Sequence, residues 1–536
     1  MEPRQGPKEV VSGKSGVVSS SHPMVSKIMI DVLKGGGNAV DAAVAGSLAG
    51  PVYESHMTTI SGTVSFLYWD AETGKSYFMD ASPTLPEGLA PFCPHPYVPT
   101  TAAAIPGSSA GLKSMLERFG SKPWGELIEP AIKAARDGHV VTSWEYALLY
   151  GGAGGRSSTL EGRTFFPSGR EHFAPDGFQV PVGMVWRRPD LAKTLEASAV
   201  EGPDYFLCGG WARRLVEEAN GLGWMISLED VAGYDAIWVE PTHTLYKENE
   251  LIGIPPPQRG GFYTGFLFGV LEHFELDGHY TESAETLGLI AWILRRAHLD
   301  RNLIHDPCHY DNPLETLLSG DYHKVTADLW KKSRPKTDLT RYLELTHSKS
   351  AHMGSLPATG HIPHDSCELS IVDRDGNWVQ MMETGGGGIP GVVVDGVPGS
   401  GIGWERYAMV EPGGRTQHAI ANTIIAREGE PWMGIGSPGD CIFTVPEVLV
   451  SILEFGWEPY RAIDAPRFWP LMDDWTLEVE NRISMDVVKG LKRMGIMPRP
   501  LGEYHWPMGS MQAVWREAES LKGTADPRRL GTALGY

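Results

Sequence analysis

Apolar and polar positions change rhythm along this chain, and each rhythm predicts an element. Residues 16–21 read as a short strand running into a helix that ends near Lys34, where Gly35-Gly36-Gly37 is a stop signal. Asn38 then stands as N-cap to Ala39-Val40-Asp41-Ala42-Ala43-Val44-Ala45, an alanine-rich helix able to pack very closely. Alternation over 63–69 and 76–80 predicts two strands joined by the turn Asp70-Ala71-Glu72-Thr73-Gly74. Helical spacing recurs at 107–119, 124–136, 189–197, 211–220, 261–274 and 284–304. Beyond that the chain turns to strands, at 368–373, 378–382, 391–394, 420–426, 476–480 and 511–515, with helices near 445–453 and 485–493. Helices and strands are mixed without the regular alternation of a parallel sheet, which predicts an α+β fold.

Composition narrows the picture only a little. The 536 residues are 42% hydrophobic and 21% charged, which is globular rather than disordered. With 46 basic against 66 acidic side chains the formal charge is −20, which disfavours a nucleic acid or an anionic membrane as partner. The opening residues Met1 to Glu9 have no apolar core, and no apolar run approaches the roughly 18 residues of a membrane span. Five scattered cysteines (Cys93, Cys208, Cys308, Cys367, Cys441) form no CxxC pair, so reduced thiols and a cytoplasmic location are expected. There is no internal repeat. The proline run at 255–257 and the glycine run at 385–388 are local, so no linker separates two domains.

The stretch with the most chemistry is Pro363-His364-Asp365-Ser366-Cys367-Glu368-Leu369-Ser370-Ile371-Val372-Asp373, a polar loop that turns abruptly into a strand with Ser366 at the joint. Two apolar runs flank Arg374-Asp375-Gly376, a three-residue hairpin loop with glycine at the left-handed third position. That loop pairs Asp373 with Asn377 and, counting outward, Ser366 with Thr384. The neighbouring register would set Glu368 directly against Glu383, an unfavourable pairing of like charges. Cleavage between Asp365 and Ser366 would make Ser366 an N-terminal nucleophile. Its own amine, with a pKa of roughly 7.7–8.0, would serve as base. By local features alone the joint also reads as a plain Asp-Ser turn. Cys367 is the alternative first residue, although a small strand side chain is its simpler reading.

Stretches along nearly the whole chain bear on that choice. They include Gly16-Val17-Val18-Ser19-Ser20-Ser21-His22-Pro23, Gly35-Gly36-Gly37-Asn38-Ala39-Val40-Asp41-Ala42-Ala43-Val44, Ile105-Pro106-Gly107 and Leu127-Ile128-Glu129-Pro130-Ala131-Ile132. Leu228 to Tyr234, Pro255-Pro256-Pro257 with Gly260-Gly261, Gly436-Ser437-Pro438-Gly439 and Asp464-Ala465-Pro466-Arg467-Phe468 follow in order. In order and spacing they resemble the γ-glutamyltranspeptidase family of N-terminal-nucleophile hydrolases. The resemblance implies a four-layer αββα sandwich made as one precursor, cut here into a large segment 1–365 and a small segment 366–536 that together form one intertwined fold. It places Ser366 at the nucleophile, where the family has threonine, and Thr384 at the threonine that hydrogen-bonds it. Backbone N–H groups of Gly439 and Asp440 fall at the oxyanion hole, which a change from glycine to aspartate leaves possible.

The family's glutamate-holding positions are changed. An arginine that clamps the substrate α-carboxylate falls at Ser82, an asparagine at Gly386, and paired serines at His418 and Ala419, while the acidic residue for the α-amino group lies near Met409 or Val410. A γ-glutamyl head would leave two charges without evident partners, at several kcal/mol in a closed site. The resemblance therefore implies amide hydrolysis on a substrate without a free amino-acid head, such as a small amide, a lactam or an acyl-amide. Arg406, Arg415 and His418 are the nearest polar candidates to contact it. No cofactor is expected. His361, His364 and Asp365 are spaced too closely to predict a metal site. The glycine runs at 151–155 and 385–388 lack the Lys-Ser/Thr of a phosphate loop, and Glu368 and Glu383 read as strand-edge surface charges, with an acid/base pair as the alternative. A true γ-glutamyl hydrolase or transferase with a re-sited anchor, and an uncut binding scaffold, are the competing readings.

Overall fold

The computed structural model describes residues 5–87, 101–151, 160–333, 366–385, 392–399, 401–403, 410–470 and 476–536. Asp365, Gly386, Arg406, Met409, His361 and His364 lie outside them, as does most of both glycine runs.

Two seven-stranded antiparallel sheets form the centre. From edge to edge, the first holds Thr532–Gly535, Val17–Ser20, Cys367–Val372, Trp378–Thr384, Thr63–Asp70, Lys75–Ala81 and Ile237–Val239. The second holds Val11–Gly13, Ser520–Ala525, Gln512–Glu517, Glu430–Gly436, Thr423–Arg427, Asn249–Gly253 and Thr242–Tyr246. Each sheet draws strands from both sides of Ser366, so neither stretch of chain builds a sheet alone.

An apolar cluster joins the outer face of the first sheet to helices Pro23–Lys34, Ala39–Tyr53, Ser108–Phe119, Trp124–Asp137 and Gly210–Gly221. A second cluster fills the space between the sheets and continues to helices Gly260–Leu271, Ala284–Asp300 and Cys441–Leu453. The layers run helix, sheet, sheet, helix. This is the αββα sandwich, and each fully buried valine, leucine or phenylalanine in it contributes roughly 1.5–3 kcal/mol.

The alanine-rich helix shows why sequence and layer agree. Asn38 caps it through a reciprocal pair with Asp41, and all 15 residues from Ala39 to Tyr53 are buried. Its small side chains let it lie almost on the sheet: a Cβ on Gly50 would stand 2.0 Å from Glu383 Oε1. The backbone N–H of Ala39 donates to Asp373 Oδ2 at 2.9 Å, tying the helix start to the hairpin that follows Ser366.

Most expected elements stand within a few residues of their predicted ends. The helix predicted over 284–304 stops at Asp300 and ends in a 3-10 turn, Arg301–Leu303. The strand predicted over 420–426 begins only at Thr423, and that over 391–394 is a two-residue strand at Val393–Val394 among the described residues.

Candidate active site

The hairpin carrying Ser366 has the register its loop predicts. Cys367 faces Glu383 and Glu368 faces Met382, so Ser366, the next residue outward, faces Thr384. Gly376 takes φ +87° in the turn, and Asp373 Oδ1 accepts from the backbone N–H groups of Asp375 and Asn377. Thr384 in turn faces Thr63 on the neighbouring strand. By the two-residue repeat of a strand, Ser366, Thr384 and Thr63 form a row of hydroxyls on the face turned towards the second sheet. Ser366 is 4% exposed.

Glu368 and Glu383 are not surface charges, contrary to expectation: they are 0% and 2% exposed. The strand has no solvated face, because helix Ala39–Tyr53 covers one side and the second sheet the other. Glu368 points between the sheets, where Asn422 Nδ2 donates to its Oε1 at 2.8 Å. Glu383 points to the helix and accepts from Ser47 Oγ at 2.5 Å. Burial pushes both carboxyls well above their usual range. A third, Glu54 at the end of the same helix, accepts from Cys367 Sγ at 3.1 Å and is pushed up to about 7, chiefly by burial. Cys367 is buried, and burial with Glu54 and Glu383 raises its thiol well above the ordinary value.

The loop at Ser437-Pro438-Gly439-Asp440 closes on the same end. Strand Glu430–Gly436 lies opposite the hairpin, and a Cβ on Gly436 would stand 2.2 Å from Glu368 Oε1. Gly439 takes φ +85°, and a Cβ there would meet the Pro507 carbonyl at 2.7 Å, so a side chain is excluded twice. Asp440 is the N-cap of helix Cys441–Leu453, its carbonyl accepting from Phe443 and Thr444. An acidic side chain at that position meets the positive end of the helix dipole. Arg529 links the two halves. It donates to the Ser366 carbonyl at 3.3 Å and to the Trp506 carbonyl at 3.4 Å, and Trp506 begins the turn that backs Gly439.

The position expected to hold an arginine is occupied differently. Ser82 is 0% exposed; its hydroxyl donates to Asp80 Oδ2 at 3.2 Å and its carbonyl accepts from Tyr234 at 2.7 Å. Gln258 donates to both Asp80 Oδ2 and Ser82 Oγ, at 2.9 and 2.8 Å, while its Oε1 accepts from the His418 backbone at 2.6 Å. The His418 ring returns to the hydroxyl row, with Nε2 at 3.2 Å from Thr63 Oγ1 and 2.8 Å from Thr416 Oγ1. Ser82 and His418, far apart in sequence, therefore belong to one buried network. Arg415 is turned elsewhere: its backbone N–H donates to Asp306 Oδ2 at 2.8 Å and its guanidinium to the Asp235 carbonyl at 2.6 Å. It lines a cavity of about 870 Å³ together with Thr84, Ile105, Tyr234 and Glu87. Ala419 offers only its carbonyl, to Cys441 Sγ, and Val410 is partly exposed.

Sequence reasoning passed over Thr63, Glu54, Arg529 and Gln258. Gln258 directly follows the proline run at 255–257, and Glu54 is an acid at the end of an apolar helix; both were visible signals.

The chain is similar to known proteins along nearly its whole length. A family model described as Gamma-glutamyltranspeptidase matches residues 25–536. The glutathione hydrolase proenzyme of Bacillus subtilis is 28% identical over 565 residues, covering 98% of this chain and 92% of its own. The acylase ACY 1 proenzyme of Pseudomonas sp. strain SE83 is 27% identical over 519 residues, covering 91% of this chain and 88% of its own. Among solved structures, the cephalosporin acylase from Bacillus halodurans superposes with a TM-score of 0.83 at 23% identity, covering 100% of this chain and 98% of that one, which shows a shared fold.

Proposed function

This chain belongs to the gamma-glutamyltranspeptidase family of amide-bond hydrolases, and from that premise we propose that Ser366 is its nucleophile, freed by cleavage after Asp365, and that its substrate lacks a glutamate head. The observation that carries the substrate reading is the buried network at Ser82. A substrate α-carboxylate needs a cation, and the best available is a bidentate guanidinium. At Ser82 both groups are committed inward, the hydroxyl donating to Asp80, a carboxyl that burial pushes above its usual range, and the carbonyl accepting from the Tyr234 hydroxyl. Bringing a carboxylate there costs several kcal/mol. A relative whose own name is acylase supports the same direction, towards a small amide, a lactam or an acyl-amide.

The chemistry follows from the row and the loop. In the cut enzyme the Ser366 amine takes the Oγ proton as Oγ bonds to the substrate carbonyl carbon, with Thr384 orienting the hydroxyl. The N–H groups of Gly439 and Asp440 meet the oxygen as it becomes negative, assisted by the helix that begins at Cys441. The amine then gives its proton to the leaving nitrogen, and an acyl ester remains on Ser366. Water attacks the ester carbonyl, one proton passing to the amine and back to Oγ. An acceptor amine replacing water would give transfer instead.

The test is a paired assay on purified chain. Wild type is expected to appear as two pieces ending at Asp365 and beginning at Ser366 by intact mass, and Ser366→Ala as one. Simple acyl anilides should be hydrolysed and a γ-glutamyl anilide should not. Robust turnover of the γ-glutamyl anilide at micromolar concentration would defeat the substrate reading. Splitting of Ser366→Ala at the same bond would defeat the nucleophile.

A further inference from the structure

The mature enzyme's base is the amine of Ser366, and that amine does not exist until the chain has been cut. The first cut therefore needs a different proton acceptor. The hydroxyl row leads away from Ser366 into the protein. Thr384 stands opposite Ser366 on one side and opposite Thr63 on the other. Residues directly opposite in an antiparallel ladder have Cβ atoms about 4.5–5.5 Å apart, so successive hydroxyls stand within one rotamer change or one water of each other. The row does not end in solvent. Thr63 and Thr384 are 0% and 2% exposed, and Thr63 Oγ1 meets His418 Nε2 at 3.2 Å.

We propose that His418 is the terminal proton acceptor for self-cleavage, reached from Ser366 through the hydroxyls of Thr384 and Thr63. This rests on the reading of Ser366 as nucleophile. The imidazole is well placed for the role. Gln258 fixes its backbone at 2.6 Å, and with the ring proton on Nδ1 the Nε2 lone pair faces the Thr63 and Thr416 hydroxyls at 3.2 and 2.8 Å. A serine at this position, as the family has, offers no comparable base.

In the step, Ser366 Oγ bonds to the Asp365 carbonyl carbon. Its proton passes to Thr384 as Thr384 passes its own to Thr63 and Thr63 its own to His418 Nε2. As the Asp365–Ser366 C–N bond breaks, a proton returns along the row to the Ser366 nitrogen. An ester on Oγ and a free amine remain, and water hydrolyses the ester to give the Asp365 carboxylate and the free hydroxyl. From then on the amine is present and the relay is no longer needed. His418 and Thr63 thus serve maturation more than turnover.

The experiment follows full-length chain made by cell-free synthesis, with conversion into two pieces read by intact mass over time. Thr63→Val, which keeps the shape and removes the hydroxyl, and His418→Gln are each expected to slow the cut about a hundredfold. Thr63→Ser restores the hydroxyl and should cut within about threefold of wild type, which loss of packing would not reproduce. Thr63→Val should slow the cut by a far larger factor than it lowers the acyl anilide kcat of the enzyme that has finally been cut. Wild-type cutting rates in Thr63→Val or His418→Gln would overturn the relay, as would a Thr63→Ser chain as slow as Thr63→Val. A wild-type chain that never cuts, or a Ser366→Ala chain that does, would overturn the nucleophile assignment beneath it.

Discussion

Arg467, Arg528, Asp526 and Glu480 are 0% exposed, and Glu54, Glu368 and Glu383 are almost as deeply buried, yet the two groups are built differently. In the first, charge meets charge. Arg528 grips Glu480 with two nitrogens at 2.6 and 2.7 Å and reaches Asp526 at 3.2 Å, while Arg467 pairs with Asp526 and donates to the Met508 carbonyl at 2.8 Å. In the second, the carboxyls meet a thiol, an amide and a hydroxyl. For Asp526 burial acts to raise the pKa, but Arg467 and Arg528 outweigh it and hold the carboxyl below its usual value. Glu54, Glu368 and Glu383 are pushed up instead. The paired group is a clamp: it binds the turn at Trp506–Met508, which backs Gly439, to Asp526 at the end of strand Ser520–Ala525. The carboxyl group lines the first strand after Ser366, where burial raises all three pKa values and favours the protonated form.

Asp526 and Glu54 must answer pH in opposite directions. A carboxyl held below its usual value contributes stability that is present above the unfolded pKa and lost as pH falls through the folded one, which places the loss for Asp526 below about 4. Glu54 has the reverse sign. Between about 4.5 and about 7 the folded chain binds a proton that the unfolded chain has released, so stability falls as pH rises through that window.

The largest effect should come from breaking the clamp. Arg528→Met keeps the bulk and leaves Glu480 and Asp526 short of their cation, at about 3–5 kcal/mol. Thermal unfolding of the uncut Ser366→Ala chain at fixed scan rate is the measurement, and a loss under about 1 kcal/mol would mean that the pairing is not what holds this corner. Next in size is Glu54→Gln in the same background. It removes the ionisation and should stabilise at pH 8 by on the order of 3 kcal/mol, with no difference near pH 4.5. A constant offset at every pH would remove Glu54 from the pH-dependent set.

The hairpin register was readable because Arg374-Asp375-Gly376 fixes the turn and because the adjacent register would set Glu368 against Glu383. The burial of those same glutamates was not readable. A strand of alternating polar residues ordinarily has one wet face, and the second sheet that covers this one includes Asn249–Gly253 and Ser520–Ala525, whose pairing depends on the assembled fold. The surroundings of Arg415 were hidden for a similar reason. Its partner Asp306 lies about a hundred residues away in an irregular segment, and no local pattern announces that contact. The helix Ala39–Tyr53 was legible in kind from its alanines, while its role as the floor beneath Glu54 and Glu383 required the register of the hairpin above it.

The smallest effect separates the groups most finely. Ser47 is 3% exposed and gives Glu383 its hydrogen bond, which draws that carboxyl's pKa down against the larger effect of burial. Ser47→Ala removes the donor without removing the acid. If Glu383 is neutral, the loss is that of one ordinary buried hydrogen bond, about 1 kcal/mol, reduced by the better helix propensity of alanine. If Glu383 carried a charge, the same change would strip a charged group of its donor and cost about 1.5–3 kcal/mol. Glu383→Gln completes the cycle, since an amide oxygen accepts from Ser47 as a neutral acid does. The expected outcome is a Ser47→Ala cost that survives in the Gln background nearly unchanged. A cost that falls by half or more on Glu383→Gln would mean that this carboxyl is ionised, and that the second group is not the neutral counterpart of the first.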